Sequence, residues 1–177
     1  MEAGLAPDPD GPEAPIVIAD YDPQWPREFE AEKQLLRVAL APWLVGSIEH
    51  VGSTAVPGLA SKPIIDIMAP VHTLIDSRPA IEALKRLNYC YAEYRPDLMH
   101  WFCKPSPQKR THHLHLIPLQ SRLWRERLCF RNRLREDEKL ATEYESLKKL
   151  LAAMYPEDRQ AYTDAKDSFV REIVADA

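Results

Sequence analysis

The sequence contains little cysteine and little glycine, with three cysteines and five glycines among 177 residues. The cysteines, at positions 90, 103 and 129, are odd in number, and no two of them have CxxC spacing. This pattern argues against a zinc site with cysteine ligands and is typical of reduced thiols. We therefore expect a cytoplasmic protein.

The sequence also lacks a long apolar run and an excess of positive charge. No apolar segment approaches the roughly 20 residues that span a bilayer, so we expect no membrane partner. The net charge is -4, and without a global basic field we do not expect nucleic acid as a partner either. Any site for an anion must therefore be local.

The length of the chain suits one domain with a hydrophobic core. Residues 1–15, rich in proline, aspartate and glycine, are predicted to form a disordered leader. They lack the basic start and the apolar core of a secretory signal. We predict that residues 16–177 form a single domain.

Hydrophobic periodicity predicts an α+β fold, in which a mixed sheet is flanked by helices and the last third is helical. Strands are predicted at 16–21, 46–52, 63–71, 89–94, 99–104 and 111–119. Helices are predicted at 27–40, 79–87, 125–137, 139–155 and after the break at Pro156.

Two of the five glycines lie in one segment, residues 50–68, HVGSTAVPGLASKPIIDIM. Gly52 and Ser53 suit a backbone bend that presents amide donors to a phosphate, with the hydroxyls of Ser53 and Thr54 beside them. Lys62 would neutralise such a phosphate. An ordinary turn with a solvated lysine is the alternative interpretation.

The strand that follows carries a single carboxylate, Asp66, in an apolar run. Because strand side chains alternate, Asp66 shares a face with Ile64 and Met68. A lone carboxylate is costly to bury unless a cation or a set of hydrogen-bond donors meets it. Asp66 is therefore either a metal ligand at the strand end or a structural acceptor for loop amides.

Three histidines lie close together in RTHHLHLIP, and two of them, His113 and His115, share one face of the predicted strand. Two imidazoles at this spacing can bind one divalent ion, and Asp66 on a neighbouring strand would complete a two-histidine, one-carboxylate set. The alternative is a half-exposed strand with a polar face. Arg110, three residues before His113, would face either an anionic substrate or the solvent.

The C-terminal helices carry two pairs of polar residues spaced by one turn, Arg131 with Arg135 and Tyr162 with Lys166. Each pair lies on one helical face. The residues alone favour solvent-exposed charge with a snorkelling lysine, and the wall of a cleft is the alternative.

Several segments, taken in order, resemble the successive sequence blocks of the GrpB family, a set of bacterial proteins. These segments are YDPQWPREFEAE, IEHVGSTAVPGLASKPIIDI, HHLHLIP, FRNRLRED with YESLKKLLA, and DRQAYTDAKDSFVREI. The resemblance extends from about residue 16 to residue 173, and the glycine-loop block is its most specific part. It implies a polymerase-beta-like nucleotidyltransferase fold with a helical C-terminal segment, a fold also found fused to dephospho-coenzyme A kinases.

The chain departs from the wider nucleotidyltransferase pattern, in which a Gly-Ser pair precedes a strand with two acids and a third acid lies on a later strand. Asp66 matches the first acid, but Met68 stands where the second would be. Two-metal phosphoryl transfer needs clustered carboxylates, and a thioether does not replace one for Mg²⁺. With His113 and His115 in place of the third acid, the set suits Zn²⁺, Mn²⁺ or Fe²⁺ better than Mg²⁺.

The resemblance implies the fold more than the substrate. With the residues above, the first hypothesis is an enzyme that binds a nucleotide or another phosphorylated small molecule with a divalent metal (Mg, Mn or Zn), and transfer of a nucleotidyl group to a small acceptor is the reaction to test first. Asp66 and His115 would be catalytic, and Asp66, His113 and His115 would hold the metal. The substrate-binding residues would be Gly52, Ser53, Thr54, Lys62, Arg110, Arg131, Tyr162 and Lys166. The alternative is a non-catalytic module that binds a ligand or a protein partner, which the missing second acid favours.

Overall fold

A five-stranded mixed sheet forms the centre of the computed structural model, which describes residues 15–175. Its strands are β1 (Glu49–Val51), β2 (Ile65–Val71), β3 (Cys90–Ala92), β4 (His100–Pro105) and β5 (Arg110–Pro118). They lie in the order β1-β2-β5-β4-β3, in which β2 and β5 are parallel and every other neighbouring pair is antiparallel. The predicted mixed sheet is confirmed. The leader predicted for residues 1–15 lies, except for Pro15, outside the described residues.

Seven α-helices surround the sheet within the described residues. They are α1 (Trp25–Ala39), α2 (Leu74–Ser77), α3 (Ala80–Lys85), α4 (Arg122–Glu136), α5 (Glu138–Met154), α6 (Arg159–Asp164) and α7 (Asp167–Ile173). Asp137 separates α4 from α5, since its carboxylate accepts the backbone N–H groups of Lys139 and Leu140 and so caps α5. In residues 15–175, no helix combines the length and the hydrophobicity that crossing a bilayer requires.

The strand predicted at residues 16–21 is wrong. Ala19 pairs with Ser61 at an isolated bridge, and the backbone N–H of Ile16 donates to the carbonyl of Pro156. The segment therefore connects the loop before β2 to the end of α5 and does not run along one strand. Its apolar residues pack against the C-terminal helices, where Ile16 contacts the cluster of Leu151 and Tyr162.

The alternation along β2 divides the core in two. Ile65 and Ile67, at most 1% exposed, face α1 and α3 in the largest apolar cluster. Burying an isoleucine of this kind stabilises the fold by roughly 1.5–3 kcal/mol. Met68 lies on the opposite face and packs with Trp101 of β4 and Trp124 of α4. Asp66 shares that second face.

The C-terminal helices extend the second face beyond the sheet. Val56 and Leu59, in the loop after β1, pack against Leu134 of α4 and Tyr144 of α5. Because this contact anchors α4 and α5 to the loop, the helices form a wall across from the second face of the sheet. A cavity remains between the two.

Candidate functional site

The bend after β1 requires glycine for two independent reasons. Gly52 has φ 72° and ψ -173°, a conformation that only glycine adopts readily. A Cβ atom at this position would lie 2.4 Å from Oδ2 of Asp66. The backbone therefore passes directly over the carboxylate and then enters a short 3-10 helix, Ser53–Ala55.

The parallel pairing of β2 and β5 brings Asp66 and His113 together. The two residues are register partners, and Oδ1 of Asp66 lies 3.0 Å from Nδ1 of His113. Paired residues on neighbouring strands present their side chains on the same face of the sheet. The sheet thus holds a carboxylate and an imidazole at hydrogen-bond distance on the face that lines the cavity.

The contact with Arg110 shows which ring nitrogen of His113 carries the proton. Nη1 of Arg110 lies 3.1 Å from Nε2 of His113, and a guanidinium group only donates hydrogen bonds. Nε2 must therefore accept, which leaves the proton of the neutral ring on Nδ1, where it is donated to Asp66. The guanidinium carbon also lies 5.0 Å from the ring centroid of Trp101. Arg110, His113 and Asp66 form one chain of hydrogen bonds.

His115 lies beside this pair but does not line the cavity. Its Nε2 is 3.9 Å from Oδ1 of Asp66, too far for a hydrogen bond, and its Nδ1 is 3.3 Å from the sulfur of Met99. Burial lowers the pKa of His115 to about 3, and the charge of Arg127 acts in the same direction. The ring is therefore neutral at physiological pH.

Asp66 is ionised and His113 is neutral near pH 7. Burial raises the pKa of Asp66, but its interactions with His113 and His115 outweigh burial and hold the pKa well below its usual range. Burial lowers the pKa of His113 despite Asp66, and the charges of Arg110 and Lys62 lower it further. The site thus presents a fixed negative charge that accepts a hydrogen bond from an uncharged ring.

The donors on this face do not fit a two-metal centre. Met68, in the place of a second acid, is fully buried in the core. Both nitrogens of His113 are engaged, and in residues 15–175 no group of three or more His, Cys, Asp or Glu side chains could hold a metal ion. A single ion on Asp66, His113 and His115 would require His113 to release Arg110.

The cavity between the sheet and the C-terminal helices has a volume of about 470 Å³, within the range of small-molecule sites. Asp66 is the only carboxylate among the described residues that line it. Its cationic side chains are Lys62, Arg110, Lys148, Arg159 and Lys166, and its aromatic ones are Tyr94, Trp101, Phe130, Tyr144 and Tyr162. The cavity is therefore both strongly basic and aromatic.

Two of the lysines lie against the ring of one tyrosine. Nζ of Lys166 is 4.0 Å and Nζ of Lys62 is 5.5 Å from the ring centroid of Tyr162. A tyrosine ring attracts cations weakly, by roughly 0.5–2 kcal/mol. This attraction holds two ammonium groups near each other in the absence of an anion.

Lys148 is the most deeply buried of these cations, at 2% exposed. It donates a hydrogen bond to the carbonyl of Ala60, and its Nζ lies 5.0 Å from the ring centroid of Tyr144. Burial lowers the pKa of Lys148 to about 7, and burial together with the charges of Lys62 and Lys148 lowers the pKa of Lys166 to about 7. The cavity thus disfavours its own charged groups until an anion enters.

The structure brings most of the predicted substrate-binding residues together and leaves two outside. The cavity is lined by Gly52, Ser53, Lys62, Arg110, Tyr162 and Lys166. Thr54 is buried, where its hydroxyl contacts Nε2 of His50 and donates to the carbonyl of Ile64. Arg131 pairs with Glu49 at 2.7 Å and also donates to the carbonyl of His50. Both residues fix the glycine loop from behind.

Sequence reasoning missed several lining residues: Tyr94, Trp101, Phe130, Tyr144, Lys148 and Arg159. One of them carried a detectable signal. Lys148 follows Tyr144 by one helical turn and therefore lies on the apolar stripe of α5, where a lysine is costly to bury. A lysine on the buried face of a helix indicates an acceptor nearby, and the structure supplies one in the carbonyl of Ala60.

The profile of the GrpB protein family matches residues 15–176 of this chain. A UPF0157 protein of Pseudomonas aeruginosa is 41% identical over 167 residues, which are 92% of this chain and 67% of the relative. Glutamate-rich protein GrpB of Alkalihalophilus pseudofirmus is 36% identical over 164 residues, covering 90% and 94%. A dephospho-CoA kinase of Mycolicibacterium paratuberculosis matches 46% of this chain and 20% of its own length at 32% identity.

Two solved structures are similar in fold. The crystal structure of conserved protein GrpB from Enterococcus faecalis has a TM-score of 0.82 and 35% identity, covering 90% of this chain and 95% of that one. The Cid1 poly(U) polymerase, solved with Mg and 3′-dATP bound, has a TM-score of 0.52 and 14% identity, covering 77% and 43%. The second similarity concerns the fold alone, and it confirms the predicted nucleotidyltransferase-like architecture.

Proposed function

The chain belongs to the GrpB family and has a nucleotidyltransferase-like fold, and from this premise we propose that its cavity binds a nucleotide or another phosphorylated small molecule. The observation that carries the proposal is the balance of charge, with five cationic side chains around one carboxylate in about 470 Å³. Buried ammonium groups are unfavourable without an anion, and phosphate oxygens are strong acceptors for both lysine and arginine.

The cavity combines cationic and aromatic side chains, which suits a ligand with both phosphates and a flat ring. The phosphates would contact Lys62, Lys148 and Lys166, since these three ammonium groups line the cavity around the rings of Tyr144 and Tyr162. A flat group such as a base would stack on the remaining aromatic rings, because stacking tolerates many ring systems.

Nucleotidyl transfer to a small acceptor is the reaction we propose to test first. Asp66 is ionised and directed into the cavity, so it is the group that would accept a proton from an acceptor hydroxyl. His113 would orient that carboxylate through its Nδ1–H. A metal ion on Asp66, His113 and His115 stays a prediction, with the requirement that Arg110 leaves His113.

A non-catalytic binding module is the second candidate, and the buried Met68 favours it because no second acid lies beside Asp66 on β2. The two candidates share the binding site and differ in turnover. Incubating the protein with the tightest-binding triphosphate and a panel of small alcohols and amines would distinguish the two candidates. A nucleotidyltransferase would release pyrophosphate, and a binding module would not.

Isothermal titration tests the proposal itself. The ligands are ATP, GTP, CTP, UTP and inorganic tripolyphosphate, each with and without Mn²⁺, and the matching nucleosides serve as controls without phosphate. We expect at least one triphosphate to bind and its nucleoside to bind far more weakly, since the phosphate contacts carry the affinity. Absence of binding by every phosphorylated ligand, with the protein folded, would contradict the proposal.

The affinity for a triphosphate should fall as the pH rises above 7. Burial lowers the pKa of Lys148 and Lys166 to about 7, so each is half protonated at pH 7 and almost fully neutral above about pH 8, whereas the phosphates are already ionised above about pH 6. Since only the protonated lysines attract the anion, we expect affinity to decrease roughly tenfold or more between pH 7 and 8.5. The charges of Lys62, Lys148, Asp66 and Asp167 act on Lys166, and those of Glu145 and Lys149 act on Lys148.

Titrations in buffers of matched ionic strength would measure this slope. The variant Lys166→Met should flatten it, because one of the two titrating groups is gone. An affinity that stays constant or increases from pH 7 to 9 would show that neither lysine contacts the ligand.

A further inference from the structure

The charge of the cavity fits an anion that has not been neutralised by a metal ion. Five lining cations face one carboxylate, an excess of four positive charges when both lysines are protonated. His113 adds no charge, because its Nε2 accepts from Arg110 and the ring therefore carries a single proton. A nucleoside triphosphate carries about four negative charges near neutral pH, and a bound Mg²⁺ cancels about two of them. The metal-free ligand therefore matches the cavity better than the metal complex does.

A cation already contacts His113, one of the residues that a divalent ion would need as a ligand. The ion would need a lone pair on His113, yet Nε2 accepts from Arg110 at 3.1 Å and Nδ1 donates to Asp66. A guanidinium group stays charged at every physiological pH and repels a metal ion at this distance. The same group attracts phosphate oxygens.

Arg110 is held in position from two sides. Its Nη1 lies against His113, and its guanidinium carbon is 5.0 Å from the ring centroid of Trp101. Stacking on an aromatic ring and bonding to an imidazole fix the plane of the guanidinium before any ligand arrives, which reduces the entropy lost on binding.

We propose that the cavity binds its phosphorylated ligand in the metal-free form, with the guanidinium of Arg110, held against Nε2 of His113, as a cation that contacts the ligand. This inference rests on the proposed function, because it concerns the same ligand and the same site. It specifies the ligand as an anion with about three or four negative charges, such as a nucleoside triphosphate or a comparable polyphosphate. It also distinguishes this chain from the Cid1 poly(U) polymerase, which was solved with Mg.

Titration of the intact protein with the four nucleoside triphosphates and with inorganic tripolyphosphate, in excess EDTA and in excess Mg²⁺ or Mn²⁺, tests the proposal. The dissociation constant in EDTA should be equal to or lower than that with either metal. Arg110→Met should weaken binding in EDTA by about 10- to 100-fold, the loss of a charge-assisted contact, and Arg110→Lys should weaken it less. Lys109→Met, which removes the same charge from an exposed neighbour, should change it less than about twofold.

Asp66→Asn provides a second test that does not involve Arg110, and its expected effect on affinity differs from that of Arg110→Met. If the ligand enters without a metal, removing this carboxylate lowers repulsion, and binding in EDTA should be unchanged or tighter. Binding that appears only with Mg²⁺ or Mn²⁺, or that Asp66→Asn abolishes while the variant stays folded, would overturn the metal-free mode and leave the proposed function intact. If no phosphorylated ligand binds under any condition, the proposed function fails and this inference fails with it.

Discussion

Gly52→Ala is expected to lower the free energy of unfolding by about 3 kcal/mol or more. The backbone at this position has φ 72° and ψ -173°, a region in which a side chain costs roughly 1–3 kcal/mol. The added methyl group would also lie 2.4 Å from Oδ2 and 3.0 Å from Cβ of Asp66. Asp66 is fixed by its strand and by His113, so neither the loop nor the strand can relax cheaply.

Gly58→Ala is the matched control. Gly58 also has a positive φ, 79°, but a Cβ atom there would meet nothing within 4 Å. Its substitution should therefore cost only the backbone strain, about 1 kcal/mol. Urea unfolding of both variants measures the difference. Equal losses in the two variants would mean that the glycine loop does not press on the carboxylate as described.

Lys166→Met should weaken triphosphate binding by about 30-fold or more while making the free protein more stable by about 1 kcal/mol. Burial and two neighbouring lysines lower the pKa of Lys166 to about 7, which shows that the fold disfavours its charge. A methionine of similar length removes this penalty, although it also gives up the contact with the ring of Tyr162 at 4.0 Å. The ligand loses a charge-assisted contact.

A substitution that weakens ligand binding but stabilises the free protein identifies a residue whose role is to bind the ligand. Lys149→Met removes the same charge from an exposed ion pair with Glu145 on α5, and it should change both quantities little. Titration with the tightest-binding triphosphate and thermal unfolding would measure the two effects. A Lys166→Met protein that binds normally would remove this lysine from the ligand site.

The strand alternation of the sequence was sufficient to predict which side chains of the site share a face of the sheet. A period of two placed Asp66 on the other face of the sheet from Ile65 and Ile67, and it placed His113 and His115 together on one face. That β5 lies beside β2 followed only from the family resemblance, because strand order depends on long-range packing that no local pattern encodes.

Other features of the site depend on side-chain directions that sequence patterns do not predict. Ser53 and Thr54 are neighbouring hydroxyls, yet the 3-10 turn directs Ser53 to the cavity and buries Thr54 against His50. The bond between Arg110 and His113 required knowledge of where β5 begins. The sequence marked Lys148 only as a charged residue on an otherwise apolar helix face. The strand predicted at residues 16–21 had a composition typical of a strand, but the segment pairs only at one isolated bridge and not along the edge of the sheet.

The parallel pairing of β2 and β5 also constrains how the chain acquires its site during folding. β4 and β5 are joined by a tight connection and can zip together locally, but Asp66 and His113 are 47 positions apart and meet only after a long loop has closed. Long-range parallel pairing must overcome the entropy of closing this loop before its own contacts stabilise it, so it is slower than the pairing of a local hairpin. We therefore expect the carboxylate and the imidazole to come together late, so that intermediates with only the β4–β5 hairpin have no competent pocket.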